Sequence, residues 1–262
     1  MLLNFLKMKK DKPKVKTKSN EQVARRKGEI GEYKIDIQLN QLPKECCYLS
    51  DLLVENPKAK TGYSQIDHVV LTSYGIFVIE TKNYQGTIYG AKEQKTWLVN
   101  GKFKMMNPFV QNYGHIKALT SFIEEKYHHL FISMVSFTKR CTFKVDLDYR
   151  KIASNELIVY DIELSEYLQR KLSILKIQHK EPLLSEQEIS TIYNTFSKEN
   201  IIDLKIREEH TQGIKKLVEE KDLESICSIC NQPVSDTVKA YCLSNKKFNG
   251  NIYCYEHQKG VN

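Results

Sequence analysis

The chain has 262 residues, of which 41% are hydrophobic, and its formal net charge is +8. This length and composition allow one sizeable packed domain together with a smaller one, and they exclude a wholly disordered chain. The positive charge modestly favours polyanionic partners such as nucleic acid. No apolar run reaches the roughly 18 residues that cross a membrane, and the apolar start is too short for a signal peptide, so we expect a cytoplasmic protein with no membrane span.

The first predicted segment is a basic arm, residues 1–19, whose lysine-rich stretch 7–18 is typical of a flexible, solvated segment. The arm either keeps the protein soluble or attracts DNA, RNA or anionic lipid. Residues 20–42 have apolar side chains at helical spacing and predict the first helix. Within it Glu29 and Glu32 are three residues apart and are therefore neighbours on the helix surface. The alternative for both is a solvated surface position.

Three strands are predicted next. Residues 46–54 form an apolar run, and residues 65–71 and 76–82 are rich in β-branched and aromatic side chains around a short polar turn, which predicts a β-hairpin. A turn of two or four residues places Asp67 directly across from Glu80, and residues that lie opposite each other share a face of the sheet.

The hairpin gathers ionisable side chains. Because side chains alternate along a strand, Glu80 and Lys82 point the same way, whereas Thr81 points to the other face. His68 is likewise predicted to point to the other face of the sheet from Asp67, where it would lie in the core or in a second layer. We therefore expect two carboxylates and one ammonium group on a single patch.

This patch has the chemistry of a cation site. Two close carboxylates repel each other, which raises the pKa of one or draws in a divalent cation, and hard oxygen ligands suit Mg²⁺ or Mn²⁺. A neighbouring lysine can orient or deprotonate the attacking water in the hydrolysis of a phosphodiester. The alternative is a buried strand pair with a salt bridge from Lys82 to Glu80 or Asp67. Three ionisable groups between strands that are apolar on both faces are costly, which favours the functional interpretation.

Further strands and a second helix follow. Residues 83–101 contain two short runs, TIYG and TWLVN, which we predict to extend the sheet. Asn107 and Pro108 are typical of a helix N-terminus and predict a second helix to about residue 127. Residues 130–137 and 156–160 predict two more strands. This order of helices and strands is typical of an α/β protein with a mixed sheet.

The C-terminal half is predicted to be helical before a distinct tail. Helices are expected at residues 163–175, 185–196 and 201–220, the second of them with a capping box. The last helix is predicted to link the sheet domain to the tail.

The tail carries two pairs of metal-ligand residues. Cys227 and Cys230 form a C-x-x-C pair, and Cys254 and His257 follow as a C-x-x-H pair. This spacing is typical of a structural zinc site in a small ribbon-like domain, which has too little apolar area to fold without metal. Free thiols or a redox pair are the alternatives. Cys242, between the pairs, is predicted to be buried rather than to bind metal.

The central region resembles a known family. Asp67 followed by Glu-x-Lys at residues 80–82 is similar to the PD-(D/E)xK nuclease superfamily. The blocks IDHVVL, GIFVIETKNYQGTIYG and NPFVQNYGHIKAL, with Trp97 before the last, resemble the nuclease-related domain, NERD, over roughly residues 28–137. The likeness covers about half of the chain and does not include the tail.

The resemblance implies a restriction-endonuclease-like fold and a metal-dependent site. Asp67 and Glu80 would hold Mg²⁺ or Mn²⁺, with the carbonyl of Thr81 as a possible third ligand. Lys82 would position the attacking water and stabilise charge that develops on the phosphate.

The resemblance also implies contributions from the two helices. An acidic residue of the first helix would face the metal centre. Glu32 is the first candidate for this residue, and Glu29 is the second. Gln111 of the second helix would be a donor that positions the substrate, and its alternative is a polar helix face.

Four regions are therefore predicted: a basic arm at 1–19, a NERD nuclease-like domain at 20–165, a helical extension at 166–222 and a zinc-binding domain at 223–262. The predicted function is metal-dependent hydrolysis of phosphodiester bonds in nucleic acid, DNA rather than RNA. The alternative is a nucleic-acid-binding or scaffold protein that keeps the nuclease fold without catalysis.

Overall fold

The computed structural model of the protein describes residues 20–223 and 226–261. The predicted basic arm at 1–19 lies outside the described residues. The strands are β1 Cys47–Glu55, β2 Tyr63–Thr72, β3 Gly75–Lys82, β4 Gly86–Gly90, β5 Thr96–Val99, β6 Phe103–Met106, β7 Phe131–Phe137, β8 Cys141–Val145 and β9 Glu156–Tyr160. The helices are α1 Asn20–Leu39, α2 Pro108–Thr120, α3 Leu164–Gln178, α4 Glu186–Glu199, α5 Leu204–Leu223, α6 Asp236–Ser244 and α7 Tyr255–Gln258. None of these helices, within the ranges described, is long and apolar enough to cross a membrane.

The larger sheet has five strands in the order β1-β2-β3-β7-β9. The first three strands are antiparallel, and β7 and β9 continue the sheet in parallel with β3. Thr72 pairs with Gly75 across a two-residue turn, and the ladder runs back to His68 paired with Ile79. This register is the one predicted from the hairpin sequence, and the predicted membership of β7 in the same sheet is also confirmed.

Two helical layers cover this sheet. Side chains of β3 alternate between two cores, as the pleat of a strand requires. Ile76 and Val78 pack in a cluster that includes residues of α2 and α4, whereas Phe77 and Ile79 pack in a cluster that includes residues of α1 and α3. The mixed sheet flanked by helices confirms the predicted α/β class.

Helices α3 and α4 are part of this layered core. Leu168 of α3 and Phe196 of α4 are both fully buried in it. The segment at 166–222, predicted as a helical extension, therefore supplies core residues to the sheet domain up to the end of α4. Helix α5 adds no residue to the three core clusters found among the described residues.

The short strands after β3 form a separate sheet, which corrects the prediction that they extend the first one. Its order is β6-β5-β4-β8. The reason is that β3 and β7 are parallel neighbours, so that β4 and β8, which follow them, leave the first sheet side by side and pair in parallel. At the crossing, the hydroxyl of Thr138 donates to the carbonyl of Tyr84 at 2.7 Å. Trp97, fully buried, lies in the core behind this second sheet.

Candidate active site and Cys/His cluster

The predicted acidic residues lie where the pairing of β2 with β3 ends. The last backbone pair is His68 with Ile79, so that Asp67 and Glu80 are the next opposed positions. In place of further pairing, the backbone N–H of Thr81 donates to Asp67 Oδ2 at 2.6 Å. Strand alternation puts Asp67 and Glu80 on the face covered by α2.

Glu80 is the most enclosed of these groups, with 3% of its side chain exposed. Its Oε1 accepts from Lys82 Nζ at 2.6 Å and from Gln111 Nε2 at 2.8 Å. Lys82 Nζ also donates to Gln111 Oε1 at 2.9 Å. Glu80 Oε2 lies 3.2 Å from His115 Nε2 and accepts no hydrogen bond from the described residues. Oε1 therefore accepts two hydrogen bonds, whereas Oε2 faces the imidazole of His115 without accepting one.

The two carboxylates have opposite pKa shifts. Burial raises the pKa of Asp67 well above its ordinary value, and the negative charges of Glu80 and Glu32 raise it further. Burial also acts to raise the pKa of Glu80, but Lys82 and His115 outweigh it and hold that pKa below its ordinary value. Burial acts to lower the pKa of Lys82, but the negative charge of Glu80 outweighs burial, so that the pKa of Lys82 is raised overall. Lys82 is therefore a charged ammonium group next to an ionised Glu80.

Helix α1 brings Glu32 to the same site. Glu32 is half-buried, and its pKa is raised by burial and then by Asp51 and Glu80. The preceding Gly31 allows this approach, because a Cβ at that position would lie only 3.3 Å from the Thr81 side chain. Glu29 is exposed. Glu32 is therefore electrostatically coupled to the acids of the hairpin.

His115 is a site residue that the sequence analysis did not select. It is buried, lies one helical turn after Gln111 on α2 and directs Nε2 at Glu80. Its signal in the sequence was its spacing of four residues from Gln111, which places both on one face of the helix.

His68 lies on the opposite face from Asp67, as strand alternation predicts. Its side chain is 1% exposed, and its Nδ1 is 3.0 Å from the hydroxyl of Ser50, which in turn bonds to Asp36 of α1. Burial lowers the pKa of His68 to about 4. His68 is therefore a neutral core group that joins β1, β2 and α1 beneath the site.

The acidic side chains supply oxygen donors of the kind that a hard divalent cation prefers, although within the described residues they do not form a converged group of three or more metal ligands. Glu80 Oε2 is buried and faces only His115 Nε2, at 3.2 Å without hydrogen-bond geometry, among the described residues, and Asp67 is a half-buried carboxylate with a raised pKa. Both features are relieved by a cation with oxygen ligands such as Mg²⁺ or Mn²⁺. Asp67 and Glu32, from β2 and α1, also line one cavity of about 350 Å³ together with Gln111 and His115.

The four predicted ligands of the tail come together. Cys227, Cys230, Cys254 and His257 place their ligand atoms within 4.8 Å of one another, the one such Cys, His, Asp or Glu group of three or more within residues 20–223 and 226–261. The sulfur atoms of Cys230 and Cys254 are 3.8 Å apart, and His257 Nδ1 is 3.2 Å from Cys254 Sγ. Sulfur ligands about 2.3 Å from a tetrahedral Zn²⁺ are separated by roughly 3.8 Å. The cluster therefore has the donors and spacing to hold a metal such as zinc.

The local backbone favours the thiolate form of Cys227. At Cys230 a backbone hydrogen bond from Gln232 acts to lower the pKa, but burial and the neighbouring thiols of Cys227 and Cys254 raise that pKa overall. Burial would raise the pKa of Cys227, but backbone N–H groups at Cys254, Cys230 and Ile229 outweigh it and lower that pKa to about 5. Around the cluster the tail has helices α6 and α7 and a single bridge between Ile226 and Pro233. Cys242 is fully buried and its sulfur bonds to the Tyr253 backbone, so it lies outside the ligand group as predicted.

Comparison with known proteins adds an independent result. The sequence model of the nuclease-related domain family, NERD, matches residues 27–138. An uncharacterized protein of Bacillus anthracis is 33% identical over 190 residues, which cover 71% of this chain and 82% of that relative. The chain belongs to the NERD family. No solved structure matches it significantly.

The NERD segment contains the whole acidic site. Residues 27–138 begin within α1 before Glu32 and end just after β7, so they include the hairpin and α2. Helix α5 and the Cys/His cluster lie beyond this segment. The family relationship points to a nuclease-related function and to interaction with nucleic acid.

Proposed function

We propose that this NERD protein is a metal-dependent nuclease that hydrolyses phosphodiester bonds in nucleic acid, with DNA preferred over RNA. The observation that carries the proposal is the group formed by buried Glu80 and half-buried Asp67 and Lys82 at the end of the central hairpin. A binding module has no need of buried carboxylates, since without a cation they repel phosphate.

The proposed cation is Mg²⁺ or Mn²⁺, held by Asp67 and Glu80. The carbonyl of Thr81 is the proposed third ligand. Glu32 is proposed to bind the cation directly or through a water molecule, and Glu29 is the second choice for that role. A divalent cation at this place would lower the pKa of water and neutralise charge on the phosphate.

The protein's own groups have separable roles. In hydrolysis, the oxygen of water bonds to phosphorus, the bond to the leaving oxygen breaks, and a proton reaches that oxygen. Lys82 Nζ donates to Glu80 and Gln111, which leaves a third N–H for the phosphate or the attacking water. Because its pKa is raised, Lys82 acts through its positive charge rather than as a base. Gln111 holds Lys82 and Glu80 in place, in addition to its predicted contact with substrate.

A second candidate function is a nucleic-acid-binding or scaffold role without catalysis. One observation favours it: Glu80 Oε1 already accepts from both Lys82 and Gln111, as a structural carboxylate would. The two candidates differ in their dependence on metal, because binding alone needs no divalent cation.

We further propose that the tail, residues 223–262, is a separate domain with one structural zinc. Three cysteines and one histidine close a tetrahedral site and leave no position for substrate. Thiolate ligands persist in a reducing compartment, which agrees with the cytoplasmic location that we infer.

The proposed function is tested with the purified full chain and matched oligonucleotides of one sequence, as DNA and as RNA, single-stranded and duplex. Each substrate is incubated with Mg²⁺, Mn²⁺ or a chelator. We expect cleavage with a divalent cation, none with the chelator, and faster cleavage of DNA than of RNA. Binding without cleavage in every condition would contradict the proposal and favour the scaffold function.

A further inference from the structure

Helix α5 forms one wall of the groove that leads to the acidic site. Three adjoining cavities of about 810, 260 and 350 Å³ follow this helix, and His210 lines all three. We call these cavities together the α5 groove. Asp67 and Glu32 line its other side, so the acids and α5 face the same cavity.

The first half of α5 is fixed to the sheet domain. Arg207 donates to Asp51 Oδ2 at 2.7 Å and to the Asp51 carbonyl at 2.8 Å. One turn later, His210 Nδ1 is 2.9 Å from the hydroxyl of Thr61. Gly213 lets the helix approach closely, since a Cβ there would lie 3.0 Å from the Thr61 methyl group. The wall is therefore anchored at two successive turns.

The groove beside Asp67 is lined by side chains that suit bases rather than phosphates. Tyr63, Ile214 and Leu217 line the same 350 Å³ cavity as Asp67, and 44% of Ile214 is exposed. Lys60 lies at the same cavity and offers a positive charge. In a duplex the bases are stacked inside and the phosphates face outward, whereas an unpaired strand presents the faces of its bases to apolar and aromatic side chains.

We propose that α5 restricts this site to unpaired strands of nucleic acid. The scissile phosphate would lie over Asp67 and Glu80 while the adjacent base packs against Tyr63, Ile214 and Leu217. This inference rests on the proposed nuclease function and names the substrate class of the same site. It concerns a helix outside the segment matched by the NERD family.

Size supports the same conclusion. An α-helix with its side chains is about 10–12 Å across, and α5 stands at the edge of the cavity whose other wall holds the acids. In this proposal a rigid duplex meets α5 before its outer phosphates reach Asp67. A single strand can bend its backbone and enter.

The first test compares two circles of the same sequence and length, one of single-stranded DNA and one of covalently closed duplex DNA. Neither has ends, so fraying does not contribute. With Mg²⁺ or Mn²⁺ we expect the single-stranded circle to be cut at least tenfold faster. Equal rates on the two circles would overturn the role of α5 and leave the nuclease function intact, whereas no cleavage of either circle would overturn the nuclease function.

The second test measures binding and does not depend on turnover. Fluorescence anisotropy with labelled single-stranded DNA, in buffer without added divalent cation, compares the wild type with Ile214→Glu, which places a negative charge on the groove wall. The matched control is Ile177→Glu on α3, at a position that is 82% exposed. We expect Ile214→Glu to weaken binding at least fivefold and the control to leave it within twofold. Equal binding by the two variants would overturn the proposal, even if the protein is a nuclease.

Discussion

At the scale of single residues, the acidic site depends on an asymmetry between two carboxylates. Glu80 contacts an ammonium group and an imidazole, and these hold its pKa down despite its burial. Burial raises the pKa of Asp67, and repulsion by the negative charges of Glu80 and Glu32 raises it further. The backbone hydrogen bond from Thr81 and the charge of Lys82 offset these effects only in part. Without a cation, ionised Asp67 destabilises the fold, and this cost is what a divalent ion would relieve.

The first prediction concerns Asp67→Asn and pH. Because the native pKa of Asp67 is raised, the folded state binds more protons than the unfolded state between the two pKa values. Stability of the wild type therefore falls as pH rises from about 4 through that window. Asparagine has no such charge. In chelator, Tm of the variant should equal that of the wild type near pH 4 and exceed it at pH 8 by a few degrees, at about 2–4 °C per kcal/mol.

This prediction is checked by thermal unfolding from pH 4 to pH 8. Asp148→Asn is the matched control: its carboxylate is 74% exposed and pairs on the surface with Lys151, which lowers its pKa, so this variant should lose rather than gain a little stability as pH rises. A difference in Tm between Asp67→Asn and wild type that stays constant with pH would show that Asp67 is not the strained carboxylate.

The second prediction separates the two glutamates of α1. Glu32 is half-buried and senses Glu80, whereas Glu29 is exposed. Glu32→Gln should lower the cleavage rate at least about tenfold, in the range found for groups that support metal ligands. Glu29→Gln should change it less than twofold. Similar losses in both variants would remove the basis for choosing Glu32.

At the scale of elements, α2 must be held in register with β3 for the site to exist. Asn112 provides that connection: its Nδ2 donates to the Val78 carbonyl and to the Ser133 hydroxyl, each at 2.8 Å, and its side chain is fully buried. The same helix carries Gln111 and His115 to Glu80. A polar bond in the core thus sets the position of the site's helical side.

The third prediction is that Asn112→Ala lowers the free energy of unfolding by about 1–3 kcal/mol, because two buried partners lose their donor. Denaturant unfolding measures it, with Asn40→Ala, at an exposed position, as the control. A loss below about 0.5 kcal/mol would mean that apolar packing alone positions α2.

Sequence patterns predicted the elements whose contacts are local and missed some of the contacts between distant segments. The two-residue turn at Ser73 and Tyr74 fixed the hairpin register, and Ser185 with Glu188 forms the predicted capping box of α4. The second sheet was not predictable from periodicity, because β4 pairs with β8 from a distant part of the chain. The α5 wall was missed for the same reason: the contact of His210 with Thr61 leaves no local pattern.

At the scale of the whole molecule, the tail shares no hydrophobic cluster with the sheet domain among the described residues. The three hydrophobic clusters identified among the described residues contain no residue beyond Phe196. The tail has a small core of its own around Cys242 and Phe248, which are 0% and 2% exposed. So little apolar burial is insufficient for folding, and metal binding would supply the remaining free energy.

The fourth prediction is one tightly held zinc per chain, measured by elemental analysis of protein purified without chelator. Cys227→Ser, or removal of the metal, should unfold the tail and expose it to protease while the sheet domain stays folded. Cys46→Ser, a half-buried thiol outside the cluster, is the control. Zinc-free protein with a protease-resistant tail would contradict the assignment.

The central claim is that Asp67, Glu80 and Lys82 form a metal-dependent site for phosphodiester hydrolysis. It is tested most directly by the initial rate of single-stranded DNA cleavage in Mn²⁺ for wild type, Asp67→Asn, Glu80→Gln and the control Asp148→Asn. We predict that both site variants lose at least about a hundredfold in rate while remaining folded, and that the control keeps the wild-type rate. Cleavage by either site variant at the wild-type rate would contradict the account.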